Sequence, residues 1–447
     1  MSITEAQGRG TAVVIGGGYA GLLAAWALRD TAERVVIIER DFYPARPEAR
    51  PGVPQARHAH LMLEAGHRLL EEMMPGIRTE LLGAGAVMVA MSGDLHWLTS
   101  AGWMAPHNSQ LAILSCTRPV LDHVVRARIS AESSVQFIEG AEVIGLLGTD
   151  TTVTGVQIRQ RGGVGSVREI RAELVVDACG RSSKLTRWLS ELGCAPVPEE
   201  HVDGGVAYAS RLFHRPPDRN LGFSALYLQT RAPNKLRMGS LMPVENDRWI
   251  VSVGGMRGAE PPPGEHGFNT VLAQLRDPAL SDALSTARPA GPVWGHRPGP
   301  SRRRHFECGT ADGLVVVGDA ACSVNPVYGQ GMTIAALGAH ALRAAALRHG
   351  GIGPATARAA RRAVTAASKT AWLMSASEDR RFPATIGGPS GVLVDIQHRY
   401  LDQVLRAATT NPRVAAAFGE VMSLVAPPNS LLRPGLLAPV LLGVDRG

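Results

Sequence analysis

The spacing of apolar residues changes several times along the chain, and each change marks an element. Thr11 to Ile15 is a short apolar run that stops at Gly16-Gly17-Gly18. A run of that length closed by glycine reads as a buried strand. Tyr19 to Leu28, rich in Ala and Leu, reads as a helix, and Val35 to Ile38 as a second strand ending at Glu39-Arg40. The three form a β-α-β unit of about 30 residues. Asp41 to Gln55, crowded with Pro and Arg, predicts a loop, and Leu61 to Met74 a helix stopped by Pro75-Gly76. From Arg118 another helix carries Leu121, Val124, Val125 and Ile129 on one face. Alternation from Val135 to Asp177, punctuated by Gly155 and Gly162-Gly163, predicts a β-meander. Helical spacing returns over 183–192 through Leu185, Trp188, Leu189 and Leu192. Strand-like runs resume over 204–256, and the proline-rich stretch 260–267 closes them as a linker. Beyond Leu314–Val317, three long Ala-rich helical stretches fill the C-terminal third, and no internal repeat is visible.

Composition narrows the class. At 447 residues the chain can form two or three domains around a large core. With 45% hydrophobic and 19% charged residues it is globular rather than disordered. The formal charge of +7 raises nucleic acid as a partner. Its basic residues are scattered, however, and the densest cluster, Arg302-Arg303-Arg304, has no interleaved aromatics, so nucleic acid is not expected. Five dispersed cysteines, an odd number, point to a reducing compartment. No apolar signal core opens the chain, and no apolar run reaches the roughly 18 residues of a membrane span. A cytoplasmic protein without a membrane span is expected. His58 and His60 lack a third ligand at useful spacing, so no metal is expected.

The glycines carry the chemistry. Gly16-Gly17-Gly18-Tyr19-Ala20-Gly21 is a GxGxxG motif after a strand and at a helix start, with Glu39 18 residues beyond Gly21. Gly16 permits the tight turn, Gly18 lets backbone approach a pyrophosphate, and Gly21 allows close helix packing. The helix N-terminus meets the negative charge, and Glu39 accepts from a ribose hydroxyl. A dinucleotide is expected, and this motif leaves FAD and NAD open. A second stretch, "GLVVVGDAACSVNPVYGQGM" (313–332), favours FAD. Asp319 at a strand end offers a carboxylate to a ribityl hydroxyl. Pro326, Gly329, Gln330 and Gly331 form a candidate ring-facing loop, with free N–H groups at the helix start aimed at a negative ring edge. No catalytic side chain is singled out, because the chemistry would belong to the flavin.

This arrangement resembles the superfamily of FAD-dependent aromatic hydroxylases and epoxidases. Arg118, Leu121 and Val125 resemble its RxxLxxxL helix, which implies that Arg118 reaches the phosphate and ribityl region. "VVDACGRSSKL" resembles a strand-end segment usually written with Asp-Gly. Here it reads Asp177-Ala178-Cys179-Gly180, and the nicotinamide-handling role of that pair is not carried over. Asp177 and Arg181 are expected to tie a strand end to a helix start. "RPGVPQARHAHLMLEAG", "PGIRTELLGAGA", "CSVNPVYGQGM" and "LLRPGLLAPVLLG" resemble actinobacterial flavin-dependent epoxidases of polyketide and polyene biosynthesis, over nearly the whole chain. That resemblance places Gln55, Arg57 and His58 near the ring or pyrophosphate. It implies a cofactor set of Gly16, Gly18, Tyr19, Ala20, Gly21, Glu39, Arg40, Arg57, His58, Arg118, Val143, Asp319, Gly331 and Met332.

The expected fold is α/β: a Rossmann-type FAD-binding domain (1-90, 113-200 and 301-350) interrupted by an antiparallel-sheet substrate domain (91-112 and 201-300), with a helical C-terminal region (351-447). Tyr227, Met238, Met242 and Trp249 are expected to line an apolar substrate cavity. The expected function is FAD-dependent monooxygenation, the epoxidation of an alkene of an apolar secondary metabolite through a flavin C4a-hydroperoxide. O2 is the co-substrate, and electrons come from NAD(P)H or from a separate flavin reductase. The alternatives are hydroxylation of an aromatic or enol substrate, flavin-dependent reduction of isoprenoid double bonds, and flavin binding without turnover. A halogenase is not expected, for want of a WxWxIP tryptophan pair.

Overall fold

Five strands pair in parallel in the order Leu314–Val316, Leu174–Asp177, Thr11–Ile15, Arg34–Glu39 and Val135–Glu139. The computed structural model describes residues 10–162, 166–217 and 221–442; Gly163 of the expected glycine pair, and residues 1–9 and 443–447 of the first and last expected segments, lie outside them. A parallel sheet is buried on both faces, which is why its inner strands are nearly continuous apolar runs, while the edge strand Val135–Glu139 is half-buried. Val13, Ile15, Val36, Ile38 and Val175 pack on one face against the antiparallel strands Ala141–Gly148 and Val153–Gln160 and the helix Leu185–Glu191. Val14, Val35, Ile37 and Val176 pack on the other, against the helices Tyr19–Leu28 and Gly331–Arg348.

The expected meander is corrected at both ends. Val135–Glu139 and Leu174–Asp177 belong to the parallel sheet, and only Ala141–Gly148, Val153–Gln160 and Arg168–Arg171 form antiparallel neighbours. Leu174-Val175-Val176 is buried on both faces, so it cannot alternate as a half-exposed strand does. Leu61 and Met62 pair with Ala112–Ser115 as a strand, and the helix starts only at Glu64. The expected linker at 260–267 already turns helical at Gly264. Among the described residues the C-terminal third holds five helices where three were expected: Gly331–Arg348, Pro354–Asp379, Val392–Ala407, Pro412–Met422 and Pro434–Leu442. Three of them start on a proline, a residue suited to the first helical turn because its missing N–H would be unpaired there.

The second sheet runs Ala207–His214, Arg248–Gly255, Arg237–Val244 and Ala225–Leu228 antiparallel, and Leu95–Leu98 joins its edge in parallel. Its register sorts the expected cavity residues. Met242 lies opposite Ile250, and Pro243 opposite Trp249, so Met242 and Trp249 fall on opposite faces. Trp249 packs with Phe213 and Phe268 under the helix Gly264–Ala273, away from the parallel sheet. Tyr208 and Met238 pack instead with Phe382 and Val327.

The long helix Pro354–Asp379 ties the two units together. Arg361 donates to the carbonyls of Ala311 (3.0 Å) and Leu314 (2.8 Å) at the start of a core strand. Trp372 is fully buried against Val202, Cys322, Val324 and Ile334. Trp372→Ala should cost about 3–5 kcal/mol of stability. Denaturant unfolding measures it; a loss below about 1 kcal/mol would mean that this helix is not integral to the core.

Candidate functional site

Three adjacent strands of the parallel sheet end on one cleft, at Ile15, Asp177 and Val316. Ligands of open α/β sheets bind outside the carboxyl ends of strands, where connections leave in opposite directions. The cleft has a volume of about 510 Å3, within the range of small-molecule and cofactor sites. Its lining includes Gly16, Gly18, Tyr19, Ala20, Glu39, Arg40, Arg118, Val143, Asp319, Pro326, Gly329, Gly331 and Met332. Of the expected residues, Gly21, Arg57, His58 and Gln330 do not line it.

Each glycine has a different reason to be glycine. Gly16 turns the chain at a φ of 94°, in the left-handed region. A Cβ on Gly21 would lie 1.8 Å from the Gly16 carbonyl oxygen, so the helix start rests directly on the turn. Gly18 is open instead: its Cβ would meet only Arg118 Nη2, at 4.0 Å. A Cβ on Gly331 would meet nothing within 4 Å. These two open positions begin the helices Tyr19–Leu28 and Gly331–Arg348, whose first N–H groups have no partner within the helix.

The polar side chains fix this frame. Glu39 is buried; it accepts from the Gly17 N–H (2.8 Å) and the Asp41 N–H (3.0 Å) and pairs with Arg50 at 2.8 Å. Arg50 also donates to the Gly17 carbonyl at 2.9 Å. It was hidden in the sequence, within a Pro- and Arg-rich loop with no periodic pattern. Arg118 donates to Asp122 at 2.6 Å and to the Met332 sulfur at 3.3 Å, joining the two glycine-started helices. Asp319 pairs with Arg181 at 3.6 Å. Arg181 ties the cleft wall by donating to the carbonyls of Val324 (2.6 Å) and Pro300 (2.9 Å). Asp177 accepts from the Cys179 N–H at 2.9 Å and from the Ser183 hydroxyl, and its complete burial raises its pKa.

Arg57 is exposed and stacks over Trp294 at 3.7 Å. His58 is buried against the second sheet, its Nδ1 2.9 Å from the Ser210 hydroxyl. His60 takes the place at the cleft expected of them. Its Nδ1 donates to the His58 carbonyl at 2.9 Å, and burial, with Arg118 nearby, pushes its pKa down to about 3, so the ring is neutral. The alternation of the Ala207–His214 strand would have exposed Tyr208 as a lining residue; His296, on a three-residue strand, gave no such signal.

The loop 325–331 is held from behind. Asp379, at the end of the helix Pro354–Asp379, accepts from Asn325 Nδ2 (2.7 Å) and from the Tyr328 hydroxyl (2.8 Å). Tyr227 donates to the Val327 carbonyl at 3.3 Å. Gln330 is buried, and neither atom of its side-chain amide has a partner among the described residues.

Comparison with known proteins settles what class of ligand this frame holds. The family of FAD binding domains matches residues 9–365. This chain belongs to that family. Protein Rv3254 of Mycobacterium tuberculosis is 32% identical over 431 residues, spanning 93% of this chain and 89% of its own. Digeranylgeranylglycerophospholipid reductase 2 of Methanopyrus kandleri is 29% identical over 336 residues, 72% of each chain. The p-nitrophenol 4-monooxygenase PnpA of Pseudomonas putida DLL-E4 shares the fold, with a TM-score of 0.63 at 16% identity over 93% of this chain and 99% of that one. The cleft of this flavoprotein fits the cofactor: two helix starts without side chains, N–H groups left unpaired, and a buried amide beside the second of them. Among the described residues no group of three His, Cys, Asp or Glu side chains could hold a metal, and no helix is long and apolar enough to cross a membrane.

Asp379 gives the site a pH signature. Burial pushes its pKa up to about 7 against the pull of its bonds from Tyr328 and Asn325, with the Glu378 and Asp203 carboxylates nearby adding to the rise. A carboxyl raised above its unfolded value contributes stability at low pH that is lost as the pH climbs through the folded pKa. Asp379→Asn keeps an oxygen that accepts both hydrogen bonds and removes the titration. The variant should gain stability relative to the parent between about pH 4 and 7, with the difference constant above pH 8. Thermal unfolding across that range tests it; parallel curves would place the titration elsewhere.

Proposed function

We propose that this flavoprotein is an FAD-dependent monooxygenase that transfers oxygen to the double bond of an apolar metabolite. The observation that carries the reading is the neutrality of the lining around the 325–331 loop. His60 is held neutral, burial raises the phenol pKa of Tyr208, and Leu61 and Val324 are apolar. Electrophilic oxygen transfer to an alkene needs no base. Hydroxylation of a phenol gains from one, and the carboxylate that reaches this end of the lining, Asp319, is paired with Arg181.

When bound, FAD supplies the two-electron chemistry and the activation of O2. The chain's part is to hold it and to keep water away. In this proposal the N–H groups at Gly18 and Tyr19 receive the pyrophosphate, with Arg118 beside them and Ala20 in the cleft wall. Glu39 accepts from the adenosine ribose, with Arg50 fixing its carboxylate, while Arg40 and Val143 line the adenosine end. Asp319 holds the ribityl chain. Gly329, Gly331 and Met332 present backbone to the ring, and Pro326 sets the turn before them. Residues 91-112 and 201-300 supply the substrate face, and electrons arrive from NAD(P)H or from a separate flavin reductase.

A second reading, reduction of an isoprenoid double bond, draws support from the relation to a digeranylgeranylglycerophospholipid reductase. Turnover of apolar alkenes under oxygen-18 gas separates the two. One labelled oxygen atom in the product is expected; a product two hydrogens heavier without label would replace monooxygenation with reduction.

Cofactor retention tests the site independently of substrate. Gly18→Val should abolish FAD retention by filling the open position at the first helix start. Asp319→Ala should weaken FAD binding about tenfold, the low end for a charge-assisted hydrogen bond because the carboxylate is 39% exposed. Titration of flavin fluorescence measures both, and unchanged affinity in either variant would remove that residue from the cofactor set.

A further inference from the structure

Among the described residues the two most exposed large apolar side chains, with two more nearby, gather on one projection. Val392 and Leu393 are 73% and 76% exposed, Ile396 52%, and Ile386, on the strand leading into the same projection, 65%. Single exposed apolar residues are ordinary on a protein surface, but a cluster of them marks a contact site. Val392, Leu393 and Ile396 stand at i, i+1 and i+4 of the helix Val392–Ala407, so their side chains share its first turns. No charged residue occurs from Phe382 to Val394. The far end of this helix is anchored: Val404 and Leu405 are buried with Val414 and Phe418. Its first half projects, and every residue from Gly391 to Arg399 except Val394 and His398 is exposed.

Charge identifies the partner. Arg399 and Arg406 follow Val392 and Ile396 at intervals of three and seven residues, on the same stripe of the helix, and both are exposed. Arg380, exposed at the other root of the projection, adds a third cation, against the carboxylates of Asp395 and of Asp402, the latter paired with Arg381. An apolar tip followed by a stripe of arginines matches a membrane interface, with acyl chains for the tip and anionic headgroups for the guanidiniums.

We propose that the projection 386–396 is a contact surface for an anionic lipid membrane, and that it brings the mouth of the substrate region to the bilayer. The second half rests on the reading of an apolar substrate, which dissolves in a bilayer and not in water. The root of the projection reaches the cleft. Phe382 packs with Tyr208, which lines the cleft, and with Val327 of the loop behind it. Thr385 donates to the Asp379 carbonyl at 2.6 Å, and Asp379 holds that loop through Asn325 and Tyr328. Ile386 and Gly387 pair with Asp203 and Val202, so the projection has a fixed base.

Co-sedimentation of the FAD-loaded protein with vesicles tests the contact without any turnover, so its failure leaves the monooxygenase reading standing. The protein should sediment with vesicles containing phosphatidylglycerol and release as salt rises. It should bind phosphatidylcholine vesicles more weakly. Leu393→Glu should lower binding to both at least tenfold, and Arg399→Glu should lower binding severalfold to phosphatidylglycerol alone. Both side chains are exposed, so neither substitution disturbs the core, and flavin absorbance confirms the fold. The proposal is overturned if the parent protein stays in solution with both vesicle types, or if Leu393→Glu binds as the parent does. It is also overturned if light scattering finds a dimer that Leu393→Glu dissolves while the parent ignores lipid, because a second copy would then be the occupant.

Discussion

The contact on which this structure depends is the close approach of a helix to the strand before it. A single methyl group on Gly21 would lie 1.8 Å from the carbonyl oxygen of Gly16, so nothing but hydrogen fits there. That closeness brings the first N–H groups of the helix Tyr19–Leu28 to the strand ends, where their partial positive charge faces the cleft. Gly18, one residue before the helix, is left bare on the cleft side. The arrangement recurs at the start of the helix Gly331–Arg348, which packs beside the first and opens with a glycine that meets nothing. Two helix starts thus converge on one cleft, and Arg118 bridges them between Tyr19 and Met332.

Backbone that must present N–H groups to a ligand cannot stabilise itself through those groups, so it has to be held from the other side. For the first loop the support is Glu39 with Arg50, which grip the N–H and the carbonyl of Gly17. For the second it is Asp379, more than fifty residues away at the end of the helix Pro354–Asp379. The two supports differ in electrostatics. Glu39 is paired with a guanidinium at 2.8 Å in a buried setting. Asp379 meets only neutral donors and carries the cost of burial as a raised pKa. The support of the second loop is therefore tied to pH through Asp379.

What the sequence discloses follows from how local the physics is. Gly16, Gly18, Gly21 and Glu39 are set by one β-α-β unit, and their spacing alone locates them. Asp319 and Gly331 are legible for the same reason, each at a strand end or helix start. Arg50 and Asp379 are not, because their partners lie on other elements, and nothing in a Pro-rich loop or an Ala-rich helix marks one arginine or one aspartate. The two ends of the expected meander failed on a different point: alternation was read across Leu174–Asp177, where both faces are covered and no alternation is required. Trp249 failed by one step of register, which in a strand is enough to move a side chain to the opposite face.

The neutral lining near the second loop and the charged one near the first are parts of one electrostatic arrangement. Arg50 and Arg118 stand where an anionic cofactor would sit, and Arg181, paired with Asp319, stands nearer Tyr208 and His296. Toward the second sheet the polar groups are ones that burial keeps uncharged, with His58 and His60 both pushed down to about 3. Hydrogen bonding, not ionisation, satisfies them: His58 with Ser210, and Ser210 with Ser252 at 2.6 Å. An imidazole so far from its protonating range neither stabilises an anion by charge nor gives up a full positive charge to a substrate. The register of the second sheet puts Met238 and Met242 on one face and Trp249 on the other, so a slip of one residue would exchange them.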